Sequence, residues 1–199
     1  MKEQKQFMNT MLRIILNRYL FFSFLSLFFI VGCRSREEKE VRRMIGRTIY
    51  LDGPLLFIDS CNQFATNPKK SDVRIITTLD YNECYDCSFK SLINFKLLLQ
   101  KEKELYDNVE VLAVANKLDI KRAKEELRKW DLNMVVVLDT TNYYVKENKI
   151  GSLLYRNRTF IIDKNNRVVL VGNPIISSQL RPYYLAVLRK LFENEGVIN

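Results

Sequence analysis

Cys84-Tyr85-Asp86-Cys87 is the group of residues whose types and spacing are best suited to chemistry. Two thiols at C-x-x-C spacing can meet across one helical turn, and a helix N-terminus favours a thiolate at the first of them. Cys84 is then the exposed nucleophile, and Cys87 the thiol that resolves a mixed disulfide. Glu83 and Asp86 oppose thiolate formation and no basic side chain adjoins the pair, so modest activation is expected. Three other readings stay open: a structural disulfide, half of a zinc site, and chance spacing. Cys61, in "FIDSCNQF", is either a small, partly buried residue beside Phe57, Ile58 and Phe64 or a third thiol that exchanges with the pair. The chain contains no histidine, which excludes Cys-His and Ser-His-Asp catalysis and any metal site that needs imidazole.

The elements that must hold the pair follow from the apolar pattern. "VRIITTLD" (Val73–Asp80) is β-branched and apolar, as expected of a strand buried on both faces. Leu92, Phe95, Leu98 and Leu99 then recur at helical steps, predicting a helix that opens at the C-x-x-C and reaches about Leu105. "VEVLAVA" (Val109–Ala115) is the next strand. A helix capped by Asp119 follows, with Ile120, Ala123, Leu127 and Trp130 on one face. "MVVVLD" (Met134–Asp139) is a third strand, and "NYYVKENKIG" a short helix closed by Gly151. "TFIID" and "RVVLVG" face each other across Lys164-Asn165-Asn166, and Leu180, Tyr184, Val187, Leu188 and Leu191 stripe the last helix. Upstream, "RTIYLDG" and "LLFID" read as short strands joined at Gly53-Pro54, and "TNPKKSD" as a polar loop. Strands separated by helices imply an α/β layer fold: a central mixed sheet with helices on both faces.

The 199 residues are 47% hydrophobic and 28% charged, an ordinary globular balance, with a net charge of +9. The start of the chain differs in kind. Lys2, Lys5, Arg13 and Arg18 precede the apolar run "YLFFSFLSLFFIVG" (Tyr19–Gly32), which matches a secretory signal and is short for a spanning helix. An uncleaved anchor is the alternative. Ile30-Val31-Gly32-Cys33 resembles the lipobox of bacterial lipoproteins, which implies that Cys33 carries lipid and begins the mature chain. Only Cys61 would then be left to complete a zinc site. Residues 34–44, "RSREEKEVRRM", read as a tether or a short surface helix. The resulting division is 1–32 signal peptide, 33–45 lipidated cysteine and tether, and 46–199 the domain. Basic residues are interleaved with acids, as on solvated faces, so nucleic-acid binding is not expected.

Strand, C-x-x-C, helix, strand, helix, strand, short helix and then "TFIIDKNNRVVLVGNP" resembles a thioredoxin-like fold of the TlpA and ResA type. That class carries an extra helix–strand insertion, also found in peroxiredoxins, matched here by residues 119–139. Similarity is closer still to thioredoxin-like lipoproteins sharing the lipobox, Gly46-Arg47 with Ile49, and the ending Asp163–Ile175. Thioredoxins place a cis-proline before the "TF" strand to dock the partner backbone; Asn157 and Arg158 hold that place here. A non-proline cis bond would cost about 2.5–4 kcal/mol, so a trans bond is expected. The family's buried acid, six residues before the first cysteine, falls on Thr78, and the Trp and Gly-Pro of its motif are missing.

The resemblance implies a membrane-anchored envelope thiol-disulfide oxidoreductase that exchanges a Cys84–Cys87 disulfide with dithiol or disulfide proteins. It would act as a monomer on the periplasmic or surface-facing side, with no cofactor and no metal. A thioredoxin-fold binding module with a structural C-x-x-C disulfide is the alternative. A peroxiredoxin-like peroxidase is disfavoured, because P-x-x-x-T-x-x-C is absent.

Overall fold

A computed structural model describes residues 35–64, 71–79, 85–102, 107–115 and 119–197. The chain divides into two compact units, Met1–Lys39 and Glu40–Asn199, and the boundary falls within helix α1 (Arg36–Met44). In the first unit, Ser35 opens α1 by accepting the Glu38 N–H at 3.2 Å. In the second, the last turns of α1 bury Glu40 and Met44.

A seven-stranded mixed sheet organises the second unit, in the order β2-β1-β5-β4-β3-β6-β7. The centre is parallel: β3 (Val73–Thr78), β4 (Val109–Ala115) and β5 (Met134–Leu138) run together in register, Ile75 beside Val111 and Ala113 beside Val136. Every residue of these three strands is buried, as their β-branched sequences require when helices cover both faces. The outer strands are antiparallel. The hairpin of β1 (Leu56–Ile58) and β2 (Gln63–Phe64) joins β5, while β6 (Thr159–Ile162) and β7 (Val168–Val171) extend from β3.

Two cores sit on the two faces. Under α2 (Tyr85–Leu99), α3 (Ile120–Lys129) and α5 (Arg181–Glu193), Leu92, Phe95, Leu127, Tyr184 and Leu188 pack on Ile75, Val111 and Val136. On the other face Met44, Ile49, Leu51, Tyr144 of α4 (Tyr143–Glu147) and Leu153 cover Ile76, Leu112, Val135 and Phe160. The α3–β5 unit is the predicted insertion. It widens the sheet by one parallel strand beyond β4.

Several local expectations change. "RTIYLDG" is not a strand beyond a single bridge from Thr48 to Arg167, because its backbone bonds go elsewhere. Ile49 N–H closes that bridge on the Asn166 carbonyl, and past it the side-chain amide of Asn148 satisfies both the N–H and the C=O of Tyr50. Helix α2 ends at Leu99, short of Leu105, and Glu102 beyond it pairs with Arg189. Helix α4 ends at Asn148, with the left-handed backbone at Lys149 rather than Gly151, and buried Asp139 accepts the Tyr143 N–H at 2.7 Å. Asp119 caps α3 as expected. Trp130 does not join that helix's buried face: it is the C-cap, its indole N–H held by Glu126, and it is 43% exposed.

One buried charge bears on stability. Arg74 is 1% exposed in β3 opposite Glu110 of β4, donates to Asn166, and has its pKa lowered by burial against the opposing pull of Glu110. Replacing it takes from buried Glu110 the cation that faces it across the ladder. Arg74→Met should cost about 3–5 kcal/mol in urea unfolding, and Arg74→Met/Glu110→Leu should recover most of that loss.

Tyr144 and Tyr184 are wholly buried, and burial raises both hydroxyl pKa values far above their ordinary value of 10, with the Asp139 charge adding to the effect at Tyr144. The folded protein keeps both protons while the unfolded chain loses them, so this stabilisation is complete below pH 10 and is lost above it. Unfolding free energy should fall above pH 10 by about 1.4 kcal/mol per pH unit for each tyrosine. In a pH series of unfolding curves, Tyr144→Phe/Tyr184→Phe should flatten that decline.

Candidate functional site

The parallel strands all run the same way, so their C-terminal ends share one edge of the sheet. There Leu79 donates its N–H to Val114 at 2.8 Å, and Asp139 donates to Ala115 at 2.6 Å. The chain leaves β3 at this edge and must cross back over the sheet to begin β4, and α2 is that crossover. Its start at Tyr85 sets position 87 in the first turn, among N–H groups that no intrahelical carbonyl satisfies. Cys84 and Cys33 lie outside the described residues, and Cys87 is described only by its backbone place in that turn.

Across from α2 lies the segment that enters β6. A single 3₁₀ turn (Tyr155–Asn157) brings the Arg158 carbonyl to Thr78, where it accepts from the backbone N–H at 3.2 Å and the hydroxyl at 3.3 Å. Positions 157 and 158 therefore abut the end of β3 that leads to Cys84. All peptide bonds among the described residues are trans, these included. Asn157 turns inward, is 2% exposed, and donates its amide to Glu40 Oε2 at 2.9 Å. Arg158 is half-buried and folds back, donating from Nε to the Leu153 carbonyl at 3.1 Å and from Nη2 to Gly151 at 3.3 Å. Beneath them the Thr77 and Thr159 hydroxyls meet at 2.9 Å, fully buried.

Cys61 is exposed, where the sequence suggested partial burial. Asp59 Oδ1 accepts the N–H groups of both Cys61 and Asn62, which turns the β1–β2 hairpin out into solvent. β1 runs antiparallel to β5 from Leu138 to Val136, and the turn continues past Ile58 in that direction, toward the N-terminal edge of the parallel strands. A strand the length of β5 spans about 16 Å, and the sheet thus separates Cys61 from the edge where α2 begins. Among the described residues no cluster of metal ligands occurs, and no helix is long and apolar enough to cross a membrane.

No family model and no curated protein matches the sequence. Solved structures do. A peroxidoxin, BcpB, from Mycobacterium tuberculosis superposes with a TM-score of 0.53 at 14% identity, over 74% of this chain and 97% of that one. Peroxiredoxin Q of Xanthomonas campestris gives 0.53 at 14% identity, over 76% and 98%. A thioredoxin-like protein in its oxidised form gives 0.50 at 12% identity, over 74% and 98%. The fold is thioredoxin-like. Identities this low carry the architecture and leave the chemistry to the residues.

Sequence reasoning missed the support for the 157–158 turn. Glu40 Oε2 accepts both the Leu154 N–H and the Asn157 amide at 2.9 Å from within a run of charged residues that gives no sign of burial. Thr159 did leave a signal, as the one hydroxyl in the otherwise apolar run TFII. Glu40→Ala orphans one buried and one part-buried donor and should cost about 1–3 kcal/mol in chemical unfolding. Hydrogen exchange at the Leu154 amide should accelerate in that variant, while the amides of β4 stay protected.

Proposed function

We propose that this chain is a thiol-disulfide oxidoreductase of the TlpA and ResA type, anchored to a bacterial envelope membrane by lipid on Cys33. What supports the reading is chain order in a thioredoxin-like fold: in the sequence the C-x-x-C follows β3, and position 87 falls in the first turn of α2. A thiolate there gains from unpaired helix N–H groups and the positive end of the helix dipole.

In the forward direction the Cys84 thiolate attacks one sulfur of a partner disulfide. The partner's S–S bond breaks, a Cys84–partner bond forms, and the departing sulfur leaves as a thiolate that takes up a proton. Cys87, as thiolate, then attacks the Cys84 sulfur, releasing the partner's second thiolate and closing the Cys84–Cys87 disulfide. Two electrons pass to the partner; in reverse, the same steps oxidise a partner dithiol. The backbone at Asn157 and Arg158 is the docking strip for the partner chain. Asn157 contributes there through its main chain, since its side chain is committed to Glu40.

A second reading has specific support. The trans bonds at 157–159 and Thr78 in the place of a buried acid both remove aids to turnover, as expected of a binding module with a structural disulfide. Peroxidase chemistry of the kind named for the peroxiredoxin neighbours is not supported, because Tyr81 stands three residues before Cys84 where that motif needs threonine.

A redox titration of residues 34–199 carrying Cys61→Ser, read by thiol alkylation and mass shift, separates the readings. An oxidoreductase should give a Cys84–Cys87 potential between about −120 and −270 mV. A pair still oxidised below about −300 mV would make the disulfide structural and favour the binding module.

A further inference from the structure

Helices α2 and α3 lie side by side on one face of the sheet, and the described residues leave a furrow between them. Phe89, Ile93 and Trp130 form its apolar floor and wall, and Lys90, Asn94, Glu126 and Lys129 its rim, around a space of about 380 Å³. Phe89 belongs to the core, Ile93 is half-buried, and Trp130 stands 43% exposed against the opening. An exposed tryptophan beside a preformed apolar recess is the kind of anchor that dominates protein interfaces.

The charge around the furrow names the partner's chemistry. The furrow's own lining carries Lys90 of α2 and Lys129 of α3 against Glu126, a net positive charge, while Lys96 is turned away onto Asp131 and the Trp130 carbonyl. Glu126 is already engaged, accepting the Trp130 indole N–H at 3.0 Å and lying 3.7 Å from Lys129, whose ammonium sits 5.2 Å from the indole centroid. No partner for the Lys90 ammonium stands among the described residues, and Lys90 lies one helical turn beyond position 87.

The geometry points to the α2–α3 furrow as a docking site for an extended, acidic segment of a partner protein, which seats an apolar side chain against Trp130 and its carboxylates on Lys90 and Lys129. The site rests on the oxidoreductase reading in one respect: its nearness to the first turn of α2 would present a partner's cysteine to the pair. Docking itself needs no thiol. The furrow is separate from the 157–158 strip, so a partner holding both would span the helix start from two sides.

The test uses the tryptophan, the only one in the chain, as the reporter. The full chain with Cys84→Ser/Cys87→Ser, held in phosphatidylcholine vesicles, is titrated with a short cysteine-free peptide of alternating glutamate with one leucine and one phenylalanine. Its counterpart carries lysine in place of every glutamate. The acidic peptide should give a saturable shift of Trp130 emission that weakens as salt rises, and the lysine peptide none. Lys90→Glu/Lys129→Glu should weaken the acidic peptide by about tenfold or more, with Lys90→Arg/Lys129→Arg binding as before. Equal responses to both peptides, or none to either, would overturn the proposal. So would an emission shift produced by phosphatidylglycerol vesicles or by raising protein concentration while the peptide has no effect, which would assign the furrow to lipid or to a second copy. Because the reporter chain lacks both thiols, failure here leaves the redox titration untouched, and failure of the titration leaves docking measurable.

Discussion

Three parallel strands buried on both faces can end only at the two edges of their sheet, and each crossover helix must start at the same one. In this protein β3, β4 and β5 impose that condition, and their C-terminal edge collects Leu79, Ala115 and Asp139. Helix α2 begins where β3 leaves off. In the sequence the C-x-x-C lies between that strand and the first turn of the helix, both of which are set by burial. On the proposed reading, weakening the parallel ladder would cost the pair the helix end that favours its thiolate and the edge that faces a partner.

The same edge is closed from its other side by a turn that owes its place to distant residues. Arg158 gives its carbonyl to Thr78, Asn157 gives its amide to Glu40, and Glu40 also holds Leu154. Glu40, late in helix α1, thereby holds the segment that enters β6. On the proposed reading, this clamp fixes the docking strip by hydrogen bonds, without the rigid ring of proline.

Much of the architecture was legible because burial on both faces leaves an apolar record. Val73–Thr78, Val109–Ala115 and Met134–Leu138 are continuous apolar or β-branched runs, and the stripe on α2 repeats at helical spacing. Less was legible where a side chain does the work of backbone. The Asn148 amide replaces a strand neighbour for Tyr50, so an apolar alternating segment became an extended loop. Asp59 turns Cys61 outward, although its neighbours in sequence are apolar. Glu40 sits among charges and is buried only because its partners lie more than a hundred residues away. Trp130 keeps the helical spacing of Leu127 but falls one position past the helix end, which converts a predicted core residue into an exposed one. Of the candidate site, Cys84 lies outside the described residues, and the inward bonds of Asn157 and Arg158 depend on tertiary contacts that no local pattern shows.

The central claim is that Cys84 is an activated thiol with Cys87 as its resolving partner. Cys61 supplies an internal standard, being exposed in a solvent-facing turn. The decisive measurement is the pH dependence of alkylation of each thiol in the reduced protein, followed site by site by mass spectrometry. The account predicts that Cys84 reacts faster than both Cys61 and Cys87, on a curve displaced modestly below the ordinary thiol pKa of about 8.5. A Cys84 that reacts no faster than Cys61, on the same curve, would contradict it.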